Sequence, residues 1–176
     1  MALVNIADIS DYNQLMGIEG AVAKSFFSAY FANYNWKGRH PRVKSDVLNV
    51  ALDIGYTILF NFMECFVRMF GFDIYIGVYH RVWYKRKSLI CDLIEPFRCI
   101  IDHATLLAFN RKQFSEKDFI LLKNEYRLKN EHCAEYYNVY YEALIKYKAD
   151  FFNYVQQYYR CFMGRKSVQE YPKFQF

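Results

Sequence analysis

The residues of this 176-residue chain that can do chemistry fall in three places. Glu19 sits in an otherwise apolar stretch, LMGIEGAVA, between Gly17 and Gly20. A glycine inside a helix costs about 1 kcal/mol against alanine, so two around one acid suggest that something approaches the backbone there. The plain alternative is a surface glutamate on an amphipathic helix. His80 ends an apolar run and precedes a basic segment, and its alternative is a hydrogen-bonded structural histidine. Asp92 and Glu95 stand three residues apart and share one helix face. Among Leu89, Ile90, Leu93 and Ile94, two like charges are mildly destabilising unless a cation compensates them; otherwise they mark a solvated helix edge. Taken together, Glu19, His80, Asp92 and Glu95 form a donor set for a divalent cation. Carboxylate oxygens suit Mg²⁺, and one imidazole makes Mn²⁺ equally comfortable. Such an ion polarises a phosphate oxygen and stabilises the charge of an in-line displacement.

Two basic segments flank these acids. Lys37, Arg39, Arg42 and Lys44 lie in one; Arg81, Lys85, Arg86 and Lys87 lie in the other. Either alone reads equally well as a solvated loop. Both together point to a polyanion, and the net charge of +5 is compatible with a nucleic-acid surface. The five cysteines, Cys65, Cys91, Cys99, Cys133 and Cys161, contain no C-x-x-C pair, so zinc and dithiol redox chemistry are not indicated. Their odd number, with no secretory signal, fits a reducing prokaryotic cytoplasm, where each acts as a small buried hydrophobe.

The elements that must position these groups read as helices. Hydrophobic residues make up 54% of the chain, which excludes disorder, and 17 Tyr and 17 Phe against 7 Gly and 3 Pro favour long helices over short strands. Apolar residues Leu15, Ile18, Val22, Phe26 and Ala29 predict a helix from Asp11 to about Tyr34. Gly38 and Pro41 make Asn35 to Ser45 a loop. Asp46 is the expected N-cap of a helix reaching about Met69. Within it, Val50 to Phe70 is apolar enough to suggest a membrane, but Asp53, Asn61, Glu64 and Arg68 favour a buried helix and no membrane. Phe72 to Tyr79 is either a strand or a compact connection. Ser88 is the expected N-cap of the next helix, with Pro96 as a kink or junction. Phe114 to Lys129 reads as two short helices and Glu131 to Phe162 as one long one. The fold class is predominantly all-α: one helical domain over 1–162 and a tail over 163–176, where Phe174 and Phe176 can dock.

The same residues carry a resemblance. In order they are GIEG (Gly17–Gly20), R-x-x-x-D-x-x-N (Arg42–Asn49), GV-x-H-R (Gly77–Arg81) and S-L-x-x-D-L-x-E-P-F-R (Ser88–Arg98). The set resembles the helical catalytic domain of the CRISPR-associated spacer-acquisition integrases, over about Leu15 to Asp102. The resemblance implies a metal triad of Glu19, His80 and Glu95, which are also the catalytic residues. It implies that Asp92, Asn49 and Arg98 stand next to that triad. It implies Mg²⁺ or Mn²⁺ and a strand transfer in which the 3′-hydroxyl of a short spacer DNA attacks a phosphodiester of the CRISPR repeat. Double-stranded DNA is then the partner, as spacer precursor and as repeat, and the eight basic residues above contact it.

Members of that family carry a β-rich domain ahead of the helical one, so the resemblance is to a compact form lacking it. That domain helps build the family's homodimer and docks CRISPR-associated protein two, which leaves this second partnership open. A homodimer or higher homo-oligomer is the expected assembly. Tyr and Phe on the last helix are either core or the interface between copies. Two other readings stand beside the integrase: a non-catalytic helical DNA binder, such as a degenerate relative, and an aromatic-rich interaction protein.

Overall fold

A computed structural model describes residues 11–34 and 36–176. It packs as two compact units, Met1–Pro41 and Arg42–Phe176.

In the first unit, α1 (Tyr12–Tyr30) starts at Asp11, whose side chain accepts from the backbone N–H of Asn13 at 3.2 Å. The helix stops short of the expected Tyr34, and a single 3₁₀ turn covers Ala32–Tyr34. Phe27 and Phe31 are buried, with the Trp36 ring 5.6 and 5.2 Å from theirs. A Cβ at Gly17 or Gly20 meets nothing within 4 Å, so these glycines answer no close approach by the described residues.

The second unit is built around α2 (Val47–Met69). Asp46 caps it as expected: one carboxylate oxygen accepts from the Asn49 N–H and the other from the Asn49 side-chain amide, both at 2.8 Å. By length and composition α2 could cross a membrane, yet 56% of its most apolar window is buried in the protein. It packs against α3 (Ser88–Ile94), α4 (Arg98–Asn110), α5 (Cys133–Ile145) and α6 (Lys148–Met163). Gly55 permits this. A Cβ there would lie 2.5 Å from Ile101 Cγ2 of α4 and 2.8 Å from the Tyr140 ring of α5. Tyr140 is fully buried, and its hydroxyl donates to the Ala51 carbonyl of α2 at 2.8 Å. A second cluster stacks Phe97 on Phe151 at 4.1 Å, with Phe62 and Phe66 against the same ring. Phe174 reaches Phe97 at 4.2 Å and Phe176 lies 5.8 Å from Tyr147, so the last residues dock.

Three local expectations need correction. Ser88 is the first residue of α3 and not its cap; its hydroxyl donates instead to the Arg81 carbonyl at 3.0 Å. Phe72 to Tyr79 takes the compact connection, one of the two forms expected of it, in turns that bury Ile74. Residues 114–129 hold one 3₁₀ turn (Glu116–Asp118) and a hairpin of β1 (Phe119–Leu122) and β2 (Glu125–Leu128), with Phe119 opposite Leu128. Its two-residue turn places Lys123 and Asn124 at φ 51° and 64°, the left-handed pair that suits the twist of a tight hairpin. The apolar run FILL does not alternate, which hid the strand. The segment 131–162 breaks into α5 and α6 at Lys146 and Tyr147, where no Gly or Pro stands. Packing decides the break: α5 lies on α2 and α4, whereas Phe151 of α6 joins the Phe62, Phe66 and Phe97 cluster. Of the kink or junction expected at Pro96, the structure has the junction, a 3₁₀ turn (Glu95–Phe97) between α3 and α4.

Candidate active site

Asp92, on α3, organises the site. One carboxylate oxygen accepts from the Val78 and Tyr79 N–H groups at 2.5 and 3.1 Å. The other accepts from the His80 N–H at 2.9 Å and meets His80 Nδ1 at 2.6 Å. The chain can fold this tightly onto α3 because residue 77 is glycine. A Cβ there would stand 2.6 Å from the His80 carbonyl oxygen and 2.7 Å from Asp92 Oδ2. A carboxylate only accepts, so the pairing puts the proton of neutral His80 on Nδ1 and the lone pair on Nε2. Metal-ligating and proton-transferring histidines are held in this way.

Glu95 sits one turn further, where Pro96 turns the backbone. Arg98 Nη1 lies 3.2 and 3.1 Å from its two oxygens. The guanidinium also lies over the Tyr56 ring, 4.6 Å from its centroid. Burial alone would lower the Arg98 pKa, but Tyr56 and Glu95 outweigh it and raise the value, so Arg98 stays charged. The Tyr56 hydroxyl in turn donates to the buried Asp102 carboxylate. Glu95 thus belongs to a polar chain running from the surface into the α2–α4 packing.

The same unit holds an open groove of about 700 Å³, lined by Arg42, Phe60, Trp83, Tyr84, Lys85, Arg86, Lys87 and Cys91. It joins a residue of the first basic segment to three of the second. Arg42 is exposed, and its backbone N–H donates to Asp53 at 2.8 Å. Lys44 is tied to the hairpin, its carbonyl accepting from the Tyr126 N–H at 2.9 Å. Arg81, Lys85 and Arg86 are exposed. Lys87 is the exception: its ammonium pairs with Glu64 at 2.6 Å, and Arg68 holds the same carboxylate at 2.7 Å.

His80, Asp92, Glu95, Arg98 and Asn49 all lie in the unit Arg42–Phe176. Asn49 is buried, with its amide on the Asp46 cap. Glu19 is exposed on α1 in the other unit; in the segment that follows, Lys37 is exposed and Arg39 half-buried. Among the described residues, no group of three or more His, Cys, Asp and Glu side chains is gathered so that it could hold a metal ion. By donor type, His80 Nε2 and the Glu95 carboxylate suit a hard or borderline divalent ion. Sequence reasoning missed the roles of Gly77, Tyr56, Glu64 and Asp53. Only acids within the apolar α2 pattern hinted at the last two.

The helices packed around α2, with one short hairpin, define the class: an all-α domain with the Cas1 fold. The family model for CRISPR associated protein Cas1 matches residues 1–142, and the chain belongs to that family. It is 35% identical over 112 residues to CRISPR-associated endonuclease Cas1 1 of Thermodesulfovibrio yellowstonii, covering 61% of this chain and 35% of that protein. It is 32% identical over 123 residues to CRISPR-associated endonuclease Cas1 3 of Thermus thermophilus, covering 67% of this chain and 37% of that one. Among solved structures it resembles a casposase bound to integration product (TM-score 0.83, 22% identity, 96% of this chain and 53% of that one). It also resembles a Cas1 protein from Thermotoga maritima (TM-score 0.84, 20% identity, 96% and 57%). The chain thus spans about a third of the curated relatives and about half of these solved chains.

Proposed function

We propose that this chain is a DNA integrase of CRISPR adaptation that joins the 3′-hydroxyl ends of short spacer DNA to the CRISPR repeat. The observation that carries this reading is the His80 ring, fixed by Asp92 with Nε2 as its lone-pair nitrogen, in the same unit as a groove lined by Arg42, Lys85 and Arg86. Family membership supports it, as does the fold shared with a casposase bound to integration product. In the reaction the spacer 3′-oxygen attacks a repeat phosphorus, a new P–O bond forms, and the P–O3′ bond of the repeat strand breaks. The proton of the attacking hydroxyl is released and the departing 3′-oxygen takes one up. No bond to protein forms. The basic residues hold both DNA backbones in register for this attack. His80 Nε2 and Glu95 are the donors within this unit that would hold Mg²⁺ or Mn²⁺, the family resemblance alone adds Glu19, and the ion when bound supplies charge stabilisation at the phosphodiester. Arg98, bonded to both Glu95 oxygens, orients the carboxylate.

The partners in this reading are double-stranded spacer and repeat DNA in a prokaryotic cytoplasm, and a second copy of the chain to serve the second strand end. CRISPR-associated protein two is a further candidate partner, supported by the fold shared with a Cas6-RT-Cas1--Cas2 complex. A second reading, a helical DNA binder without catalysis, is favoured by Arg98 already occupying Glu95 and by the lack of a three-donor cluster among the described residues.

The test is to mix protein with a 3′-hydroxyl duplex and a supercoiled plasmid bearing a CRISPR array, with Mg²⁺, with Mn²⁺ and with EDTA. Joining that needs metal, and that His80→Ala and Glu95→Ala each abolish while duplex binding stays within about twofold, is the expected result. Duplex binding without joining under every condition would select the second reading.

A further inference from the structure

We infer that Tyr56 is a positioning residue for strand transfer: its ring seats the Arg98 guanidinium on Glu95, and its hydroxyl, bonded to buried Asp102, fixes the ring. The inference rests on the integrase reading and adds a residue to its machinery. Arg98 reaches both Glu95 oxygens, but through one nitrogen, Nη1, at 3.2 and 3.1 Å. A two-pronged fork fixes the plane of a guanidinium against a carboxylate. A single nitrogen does not, because the group can swivel about that contact. The plane must be set from elsewhere, and the Tyr56 ring can set it. Its centroid lies 4.6 Å from Arg98 Cζ, within the range of a cation held over an aromatic face.

The ring itself has little freedom. The Tyr56 hydroxyl donates to Asp102 Oδ1, and Asp102 is buried. Arg98 and Asp102 stand four residues apart on α4, hence on one face of it. One side chain from α2 thus meets both, with its ring on the first and its hydroxyl on the second. Core packing sets the reach. Residue 55 is glycine, where a Cβ would lie 2.5 Å from Ile101 Cγ2, so α2 and α4 lie close just beside the Tyr56–Asp102 bond. Arg98, by contrast, has a side chain 33% exposed. A long side chain that open to water ordinarily samples several rotamers. The Tyr56 seat removes that choice before DNA arrives. Preorganisation of this kind counts most where catalysis is largely the positioning of charges and reacting atoms.

The test times single-turnover joining of a 3′-hydroxyl duplex to the CRISPR-array plasmid with Mn²⁺, in the parent, in Tyr56→Phe, which keeps the ring, and in Tyr56→Leu, which loses it. Tyr56→Phe should join about tenfold more slowly and Tyr56→Leu about a hundredfold, the range that outer partners of a reacting site carry, with duplex binding within about twofold of the parent. In an Arg98→Lys background, where no planar group remains to be seated, Tyr56→Phe should cost less than about twofold. That loss of effect separates a residue acting through Arg98 from one that only packs α2 on α4. A second readout needs neither metal nor DNA: the ¹⁵N spectrum of the arginine side chains. In the parent, Arg98 should show separate Nη signals, the mark of hindered rotation about its Cζ–Nε bond, and Tyr56→Leu should merge them. Three results would each overturn the inference and leave the integrase reading standing: Tyr56→Phe joining as fast as the parent, an equal loss in the Arg98→Lys background, or Arg98 signals unchanged in Tyr56→Leu. A parent protein that joins no DNA would overturn both.

Discussion

Asp92 shows how much one side chain can decide. Three backbone N–H groups and the His80 ring converge on its two oxygens, so it fixes both the loop and the histidine. Asp92→Asn keeps the size but replaces one acceptor oxygen with a donor that faces N–H groups. The His80 ring then loses the partner that sets its tautomer. We expect at least a tenfold loss of joining with duplex binding within about twofold, since partners of this kind typically carry 10–100-fold effects. A ¹⁵N spectrum of the His80 ring should show the tautomer shift; an unchanged spectrum would reduce Asp92 to a loop anchor. Gly77 belongs to the same unit of design, because any Cβ there collides with the His80 carbonyl and the Asp92 carboxylate.

At the scale of elements, the basic loop is tied to α2 through Glu64. Burial alone would raise the Glu64 carboxyl, yet the hydrogen bonds and charges of Lys87 and Arg68 outweigh it and hold it below its ordinary value of 4.5. The folded state therefore binds fewer protons here than the unfolded chain. The stability this contributes is complete above the ordinary value and is lost as pH falls through the depressed one. Asp118, held low against burial by Ser115 and Tyr136 at the base of the hairpin, adds to the same acid limb. Urea unfolding near pH 7 and near pH 4 should show a smaller loss on acidification for Glu64→Gln than for the parent. An identical loss in both would remove Glu64 from the account.

At the scale of the molecule, α2 carries the second unit, and the integrity of that core rests on close approach at Gly55. Gly55→Ala puts a methyl group within 2.5 Å of Ile101 and 2.8 Å of the Tyr140 ring. Overpacking of this kind costs about 1–3 kcal/mol, which in a protein of this size lowers Tm by several degrees, on the order of 5 °C. Calorimetry reads it directly, and an unchanged Tm would mean that α4 and α5 yield freely. The aromatic richness of the last helices divides at this scale. Tyr136 and Tyr140 are buried core, whereas Tyr137 and Tyr141 are 44% and 46% exposed on the other face of α5.

The sequence by itself determined the helical class, α2 with its Asp46 cap, the junction at Pro96 and the family. Each is written in local signals: apolar spacing, a capping residue, a ring without an N–H, and an ordered set of short motifs. It also marked His80, Asp92 and Glu95, because charges in apolar runs stand out. Only the tertiary structure decided what those charges do. Asp92 holds the loop and the His80 ring, Arg98 claims Glu95, and Glu64 takes Lys87 out of the open basic surface; these pairings join residues 3 to 23 positions apart. The hairpin and the break at Tyr147 were likewise unreadable. A non-alternating apolar strand and a helix interrupted without Gly or Pro have no local signature, because the energy that selects them comes from neighbours distant in the chain.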